Sequence, residues 1–261
     1  MKYTGLVLDL DRTLIRGEPN SISDKDINAI KQLSDNNIPV VLATGSNYDK
    51  ANAIHSILGL NTPIISHLGT LITFNEKEVH FPIDKTTVKL LEEWAFKTST
   101  SYTKVYNRGI DYKGNLIIDY LPYVNPKEKD TSNVLQIIFC IDDDDKADCF
   151  LEFISTNKLS CYGYLYTSYI VCISSDADKG MALRIVGDEL DWDISRFIAI
   201  GNYPSDSSLF DEVAKGIVVR SNNFEIPSMY EVVEANSKNV ISQVINKYFY
   251  KSGTAGLLPQ L

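Results

Sequence analysis

Short apolar runs alternate with amphipathic stretches through residues 5–66, and the alternation predicts strand and helix in turn. Residues 5–10 open with Gly-Leu-Val-Leu, a run suited to a strand buried on both faces. Ser23 is placed to cap a helix, with Asp26 three positions on. Ile27, Ile30 and Leu33 follow at helical spacing before Asn36 and Asn37 stop it. Residues 38–43 predict a second strand, with Pro39 near its start, where strands allow it. A helix over residues 49–58, closed by Gly59, leads to a third strand at 63–66. Strands separated by helices imply parallel pairing and right-handed crossovers, hence a doubly wound α/β sheet.

The texture changes near Ile83. Residues 84–97 are helical, with Val88, Leu91, Trp94 and Ala95 along one face. Strand-like runs at 116–118, 135–140 and 169–173 follow, interrupted by a helix over 146–155. Clustered strands around few helices predict an α+β module. Strand–helix alternation then resumes: helix 180–190, strand 197–200, helix 207–212, strand 216–219 and a last helix at 239–250. The chain therefore reads as a Rossmann-like, doubly wound parallel sheet core over 1–82 and 176–261, with an α+β domain inserted at 83–175.

Composition narrows the function. Apolar residues make up 44% and charged residues 23%, as expected of a globular chain rather than a disordered one. The net charge of −9 disfavours a broad nucleic-acid face, while leaving room for one small phosphorylated ligand held by a local cation. The amino terminus does not read as a signal peptide, and no run approaches a membrane span. Cys140, Cys149, Cys161 and Cys172 match no zinc spacing and read as free thiols of a cytoplasmic protein. G-x-G-x-x-G, Walker-type, H-E-x-x-H and G-x-S-x-G motifs are all absent. Asp142 to Asp145 lack the glycine and glutamate of a calcium loop, and read instead as acids opening a helix.

Four segments fall where an open α/β sheet places its ligand, at strand ends and helix starts. They are Asp9-Leu10-Asp11-Arg12-Thr13-Leu14, Thr44-Gly45-Ser46, Asp178-Lys179-Gly180 and Gly201-Asn202-Tyr203-Pro204-Ser205-Asp206. Phosphoryl transfer has use for such a set. One carboxylate attacks phosphorus, a second moves a proton, a hydroxyl and a lysine hold phosphoryl oxygens, and magnesium neutralises charge. Taken singly, Asp-x-Asp after a strand is a common turn or helix cap, and Thr-Gly means less.

Together, in this order, the four segments resemble the motifs of the haloacid dehalogenase superfamily of phosphatases. The likeness is to the Cof-like, sugar-phosphatase branch with a large type IIB α/β cap. The resemblance implies Asp9 as nucleophile and Asp11 as general acid/base. It also implies Thr44 and Gly45 as a phosphate-binding loop and Lys179 as the lysine that neutralises nucleophile and phosphate. Mg2+ would be held by Asp9, Asp11 through its backbone carbonyl, Asn202 and Asp206. The implied activity is hydrolysis of a small phosphorylated metabolite, a sugar phosphate foremost, with the cap closing over the site.

The chain departs from the pattern at informative places. Asn202 stands where the family usually supplies a magnesium-ligating aspartate, and Ser205 where it usually has asparagine. Ser46 replaces a common arginine, Arg12 the usual glycine, and no asparagine precedes Gly69. An amide oxygen still ligates magnesium but carries no negative charge, so weakened metal binding is expected. Two alternatives share the scaffold: a catalytically weakened phosphometabolite-binding or regulatory protein, and a phosphosugar mutase. Gly109, Asp111 and Tyr112 read as a surface turn of the cap.

Overall fold

A computed structural model describes residues 3–16, 21–74, 77–106, 133–202, 204–220, 225–235 and 239–250. The elements in chain order are β1 (Gly5–Leu8), α1 (Asp24–Asp35), β2 (Val40–Ala43), α2 (Tyr48–Ile57), β3 (Ile64–Ser66), β4 (Leu71–Phe74) and β5 (Lys77–His80). Next come α3 (Lys85–Lys97), β6 (Tyr102–Val105), β7 (Gln136–Cys140), α4 (Asp144–Thr156), β8 (Cys161–Tyr166) and β9 (Tyr169–Ser174). The chain closes with α5 (Lys179–Leu190), β10 (Phe197–Gly201), α6 (Ser207–Glu212), β11 (Lys215–Arg220), β12 (Glu231–Glu234) and α7 (Val240–Tyr248). The expected strand at 116–118 and the turn bearing Gly109, Asp111 and Tyr112 lie outside the described residues.

Eight strands form one sheet in the order β12-β11-β10-β1-β2-β3-β4-β5. All pairs from β12 to β3 are parallel, and β4 and β5 add an antiparallel edge. The alternation of side chains along each strand divides the core into two layers. Leu6, Leu8, Val40, Leu42, Ile198 and Ile200 face α1 and α7, while Val7, Val41, Ala43 and Ala199 face α5 and α6. Helices on both faces are what near-continuous apolar strands require, since each strand must hide two surfaces. The chain winds from β1 outward through β2 and β3, then returns to lay β10 on the other side of β1. The carboxyl ends of β1 and β10 thus border a topological switch point, the crevice where open sheets bind ligands.

The second sheet is antiparallel, in the order β6-β7-β9-β8. One face carries Ile137, Phe139, Ile170 and Cys172 against Val88, Leu91 and Trp94 of α3 and Phe150 of α4. The opposite face carries Val105, Ile138, Val171 and Ile173, and packs on Leu68 from the loop after β3. That contact seats the second sheet beside the switch point of the first.

Helix ends follow local chemistry. Ser23 Oγ accepts from the Asp26 amide at 3.1 Å, as its position predicts. Asp143 accepts from the Lys146 amide at 2.7 Å, and Asp144 and Asp145 lie in the first turn of α4, so the acidic run caps a helix. The four cysteines are free.

Candidate active site

Asp9 follows the last residue of β1, and its amide donates to the Ile200 carbonyl at 2.9 Å, which holds it against β10. The residue is 4% exposed. The chain then turns: the amides of Thr13, Leu14 and Ile15 all donate to the Leu10 carbonyl. Arg12 adopts φ 60°, the left-handed conformation that glycine tolerates and other residues enter at a cost of about 1–2 kcal/mol. The turn separates the two acids. Asp11 does not continue the strand beside Asp9; its carboxylate points to the second segment. There it accepts from Ser46 Oγ at 2.5 Å and from Lys50 Nζ, on α2, at 2.5 Å.

Thr44 is fully buried after β2, and its hydroxyl accepts from the Ser46 amide at 3.0 Å, shaping the Thr44-Gly45-Ser46 loop. The loop after β3 backs it, with the Leu68 amide donating to the Thr44 carbonyl at 3.0 Å. His67 and Leu68 both have positive φ, at 54° and 60°, so this support is itself strained.

Lys179 opens α5 and is 2% exposed. Its ammonium donates to Asp9 Oδ1 at 2.8 Å and to Asp206 Oδ1 at 2.6 Å. An ammonium at a helix N-terminus opposes the helix dipole, so the two carboxylates must hold it there. Burial alone would lower the Lys179 pKa, but Asp206 and Asp9 outweigh it and raise it well above the ordinary lysine value. For Asp9 the balance runs the other way. Burial and the nearby Asp206 charge push its carboxyl up to about 7 against the pull of Lys179. Two buried carboxylates face one buried ammonium, and the site is short of positive charge.

The fourth segment closes the set. A Cβ on Gly201 would lie 2.4 Å from the Asp206 carboxyl carbon, so only glycine lets that side chain fold back over the end of β10. Asp206 Oδ2 then accepts from the Asn202 amide at 2.8 Å, and Asn202 Nδ2 donates to the Asp11 carbonyl at 2.8 Å.

These contacts bring Asp9, Lys179, Asp206, Asn202 and the Asp11 backbone into one connected group, with Thr44, Gly45 and the Asp11 side chain along the neighbouring loop. The group suits magnesium. Its oxygens are hard, and with two buried carboxylates against one ammonium it is short of positive charge, as a divalent cation would require. Asp206 has both carboxylate oxygens engaged, which makes it the brace of Lys179 and Asn202.

Sequence reading did not single out Lys50 or Tyr166. The Tyr166 hydroxyl comes to 4.0 Å from where a Gly45 Cβ would lie, with Lys179 and Asp206 among the charges that act on it. The only trace of either in the sequence is general: a helical lysine one turn past Ser46, and tyrosines at 162, 164 and 166 in strand alternation.

Residues 6–245 match the family described as haloacid dehalogenase-like hydrolase, and the chain belongs to it. Among its relatives is a phosphoglycolate phosphatase of Methanosarcina acetivorans, 26% identical over 87% of this chain and 87% of the relative. An HMP-PP phosphatase of Enterobacter sp. is 24% identical over 81% of this chain and 82% of the relative. The subclass IIB sugar phosphatase BT4131 shares the fold at TM-score 0.78 and 17% identity, over 94% of this chain and 98% of that one. BT1666 of Bacteroides thetaiotaomicron does so at TM-score 0.76 and 17% identity, over 93% and 94%. The enzyme class these relatives share is phosphatase.

Proposed function

We propose that the protein is a magnesium-dependent phosphomonoester hydrolase that acts on a small phosphorylated metabolite, a sugar phosphate foremost. The observation that carries this reading is the buried Asp9–Lys179–Asp206 triad at the switch point of the sheet. Asp9 is the nucleophile: its carboxylate bonds to phosphorus as the ester P–O bond breaks, leaving an aspartyl-phosphate. Asp11, anchored by Ser46 and Lys50, gives its proton to the departing alkoxide. It then takes a proton from the water whose oxygen attacks phosphorus, which releases phosphate and restores Asp9.

Lys179 offsets the charge of Asp9 and of the transferred group, and the Thr44-Gly45 loop holds phosphoryl oxygens. Asp9, the Asp11 backbone carbonyl and the Asn202 side-chain oxygen would hold magnesium, braced by Asp206. When bound, the ion supplies charge neutralisation between carboxylate and phosphate. We read residues 1–82 and 176–261 as the catalytic core and 83–175 as an inserted cap that closes over the substrate. Acidic composition and free cysteines fit a cytoplasmic setting.

Turnover of p-nitrophenyl phosphate with and without magnesium tests the reading. Hydrolysis that magnesium stimulates and Asp9→Asn abolishes is the expected result; no hydrolysis by the folded wild type of this or a panel of phosphorylated metabolites overturns it. One observation favours a second reading, a phosphometabolite-binding protein with little turnover. Position 202, which bonds to the Asp11 carbonyl, carries a neutral amide rather than a carboxylate.

A further inference from the structure

The second sheet presents tyrosines to the site. Tyr164 and Tyr166 lie two apart on β8, hence on one face, and both join the apolar cluster around Leu68. Tyr166 pairs with Tyr169 across the tip of the β8–β9 hairpin, and their rings stack at 4.7 Å and 16°. The stack fixes the ring and therefore the direction of its hydroxyl. That hydroxyl stands over Gly45, 4.0 Å from where a Cβ there would lie, with Ser205, Lys179 and Asp206 near enough to act on it. The loops bearing Gly45 and Ser205 flank Asp9. The hydroxyl thus stands on the Gly45 side of the crevice whose floor is the Asp9–Lys179 pair.

We propose that Tyr166 is a substrate-binding residue of this site, its hydroxyl donating to a non-bridging oxygen of the bound phosphoryl group. The proposal rests on the phosphatase reading above. A phosphoryl dianion offers more acceptor sites than Lys179 and the Thr44-Gly45 loop can fill, and Ser46 and Ser205 are short residues. Ser46 already spends its hydroxyl on Asp11. Burial raises the Tyr166 phenol well above its ordinary value, although Lys179 and Ser205 pull the other way, so it remains a donor across the neutral range. Because Tyr166 arrives on the second sheet, full phosphate affinity requires that sheet to be seated on the core.

Tyr166→Phe removes the hydroxyl and keeps the ring stack. The measurements are the inhibition constant of inorganic phosphate, kcat and KM for p-nitrophenyl phosphate, and the melting temperature, beside Tyr162→Phe as an exposed control on the same strand. The expected result is a phosphate inhibition constant raised about tenfold and kcat/KM lowered at least tenfold, as for loss of one charge-assisted hydrogen bond, with melting little changed. An unchanged phosphate constant overturns the proposal, whether melting is retained or falls; a fall would leave Tyr166 only a packing residue of the second sheet. A wild type that hydrolyses the ester while Tyr166→Phe matches it removes Tyr166 alone. A wild type that neither hydrolyses it nor binds phosphate by calorimetry removes the phosphatase reading and this proposal together.

Discussion

The Lys179 ammonium donates to Asp9 Oδ1 at 2.8 Å although 170 residues separate the two. The contact joins the first strand of the sheet to the helix that follows the second sheet, and Asp206 completes it from beyond β10. Each partner depends on the others, since a lone buried charge is costly and a paired one is tolerated.

Replacing Lys179 by alanine leaves Asp9 and Asp206 buried together without a cation. The expected loss of stability at neutral pH is about 3–5 kcal/mol, the usual cost of stranding a buried charge. Melting curves at several pH values check the cause: the deficit should shrink as acid neutralises the stranded carboxylates. In whatever fraction stays folded, kcat should fall at least tenfold. Full stability at neutral pH would mean that the ammonium does not hold the acids together.

Much of this arrangement is legible in the sequence, for identifiable reasons. β1, β2 and β10 are buried on both faces, so their apolar runs are continuous and easily seen. Val88, Leu91, Trp94 and Ala95 mark the buried face of α3 as their spacing predicts. The edge strands are different. Lys77-Glu78-Val79-His80 and Glu231-Val232-Val233-Glu234 are short, partly exposed and mixed in polarity, so neither period nor hydrophobicity reveals β5 or β12. β4 is no shorter than β1, but it follows β3 across the strained Leu68 loop with no α-helix between to set it apart. At the site, the acids and Lys179 stand out because strand ends and motif order single them out. Lys50 and Tyr166 do not, because their roles depend on how far a side chain reaches across space, which spacing along one chain does not encode.

Lys50 should matter to turnover more than to stability. Its ion pair with Asp11 joins a carboxylate whose side chain is 43% exposed, so solvent screening keeps the stabilisation small, under about 1 kcal/mol. Positioning is another matter, since Ser46 and Lys50 together fix both Asp11 oxygens. Lys50→Met is expected to lower kcat severalfold with little change in melting, and Lys50→Arg to recover part of it. Equal kcat in wild type and Lys50→Met would show that Ser46 alone suffices to orient Asp11.

Glu231 provides a pH test away from the chemistry. Burial on its own would raise its pKa, but hydrogen bonds from Lys247, Tyr248 and Lys215 outweigh this and hold it at about 2, below its ordinary 4.5. A carboxyl depressed by folding stabilises above its unfolded pKa, and the contribution is lost as pH falls toward the folded value. The wild type should therefore be the more stable, relative to Glu231→Gln, by about 1–2 kcal/mol at pH 7 after solvent screening. The difference should decline between about pH 4.5 and about 2 and vanish below. Urea titrations across that range measure it. A difference constant down to pH 2 would assign the effect to packing rather than charge.

Asn202 separates the two readings of the site. Its Nδ2 donates to the Asp11 carbonyl and its backbone amide to Asp206, so the residue is tied to both acidic segments. Asn202→Asp replaces the donor with an acceptor that faces the Asp11 carbonyl, and sets a third carboxylate beside Asp9 and Asp206 with Lys179 as the shared cation. Without magnesium, the lost hydrogen bond and the new repulsion should cost about 1–3 kcal/mol, or several degrees of melting temperature. With magnesium the sign reverses in a phosphatase. A hard dication gains more from an anionic oxygen than from an amide one. Magnesium should then restore the variant's melting temperature, and half-maximal turnover should need less of the ion than in the wild type. Calorimetric titration with magnesium gives the same comparison without turnover. A variant that melts lower and that magnesium neither rescues nor binds would favour the binding protein, in which Asn202 serves as a permanent substitute for the ion.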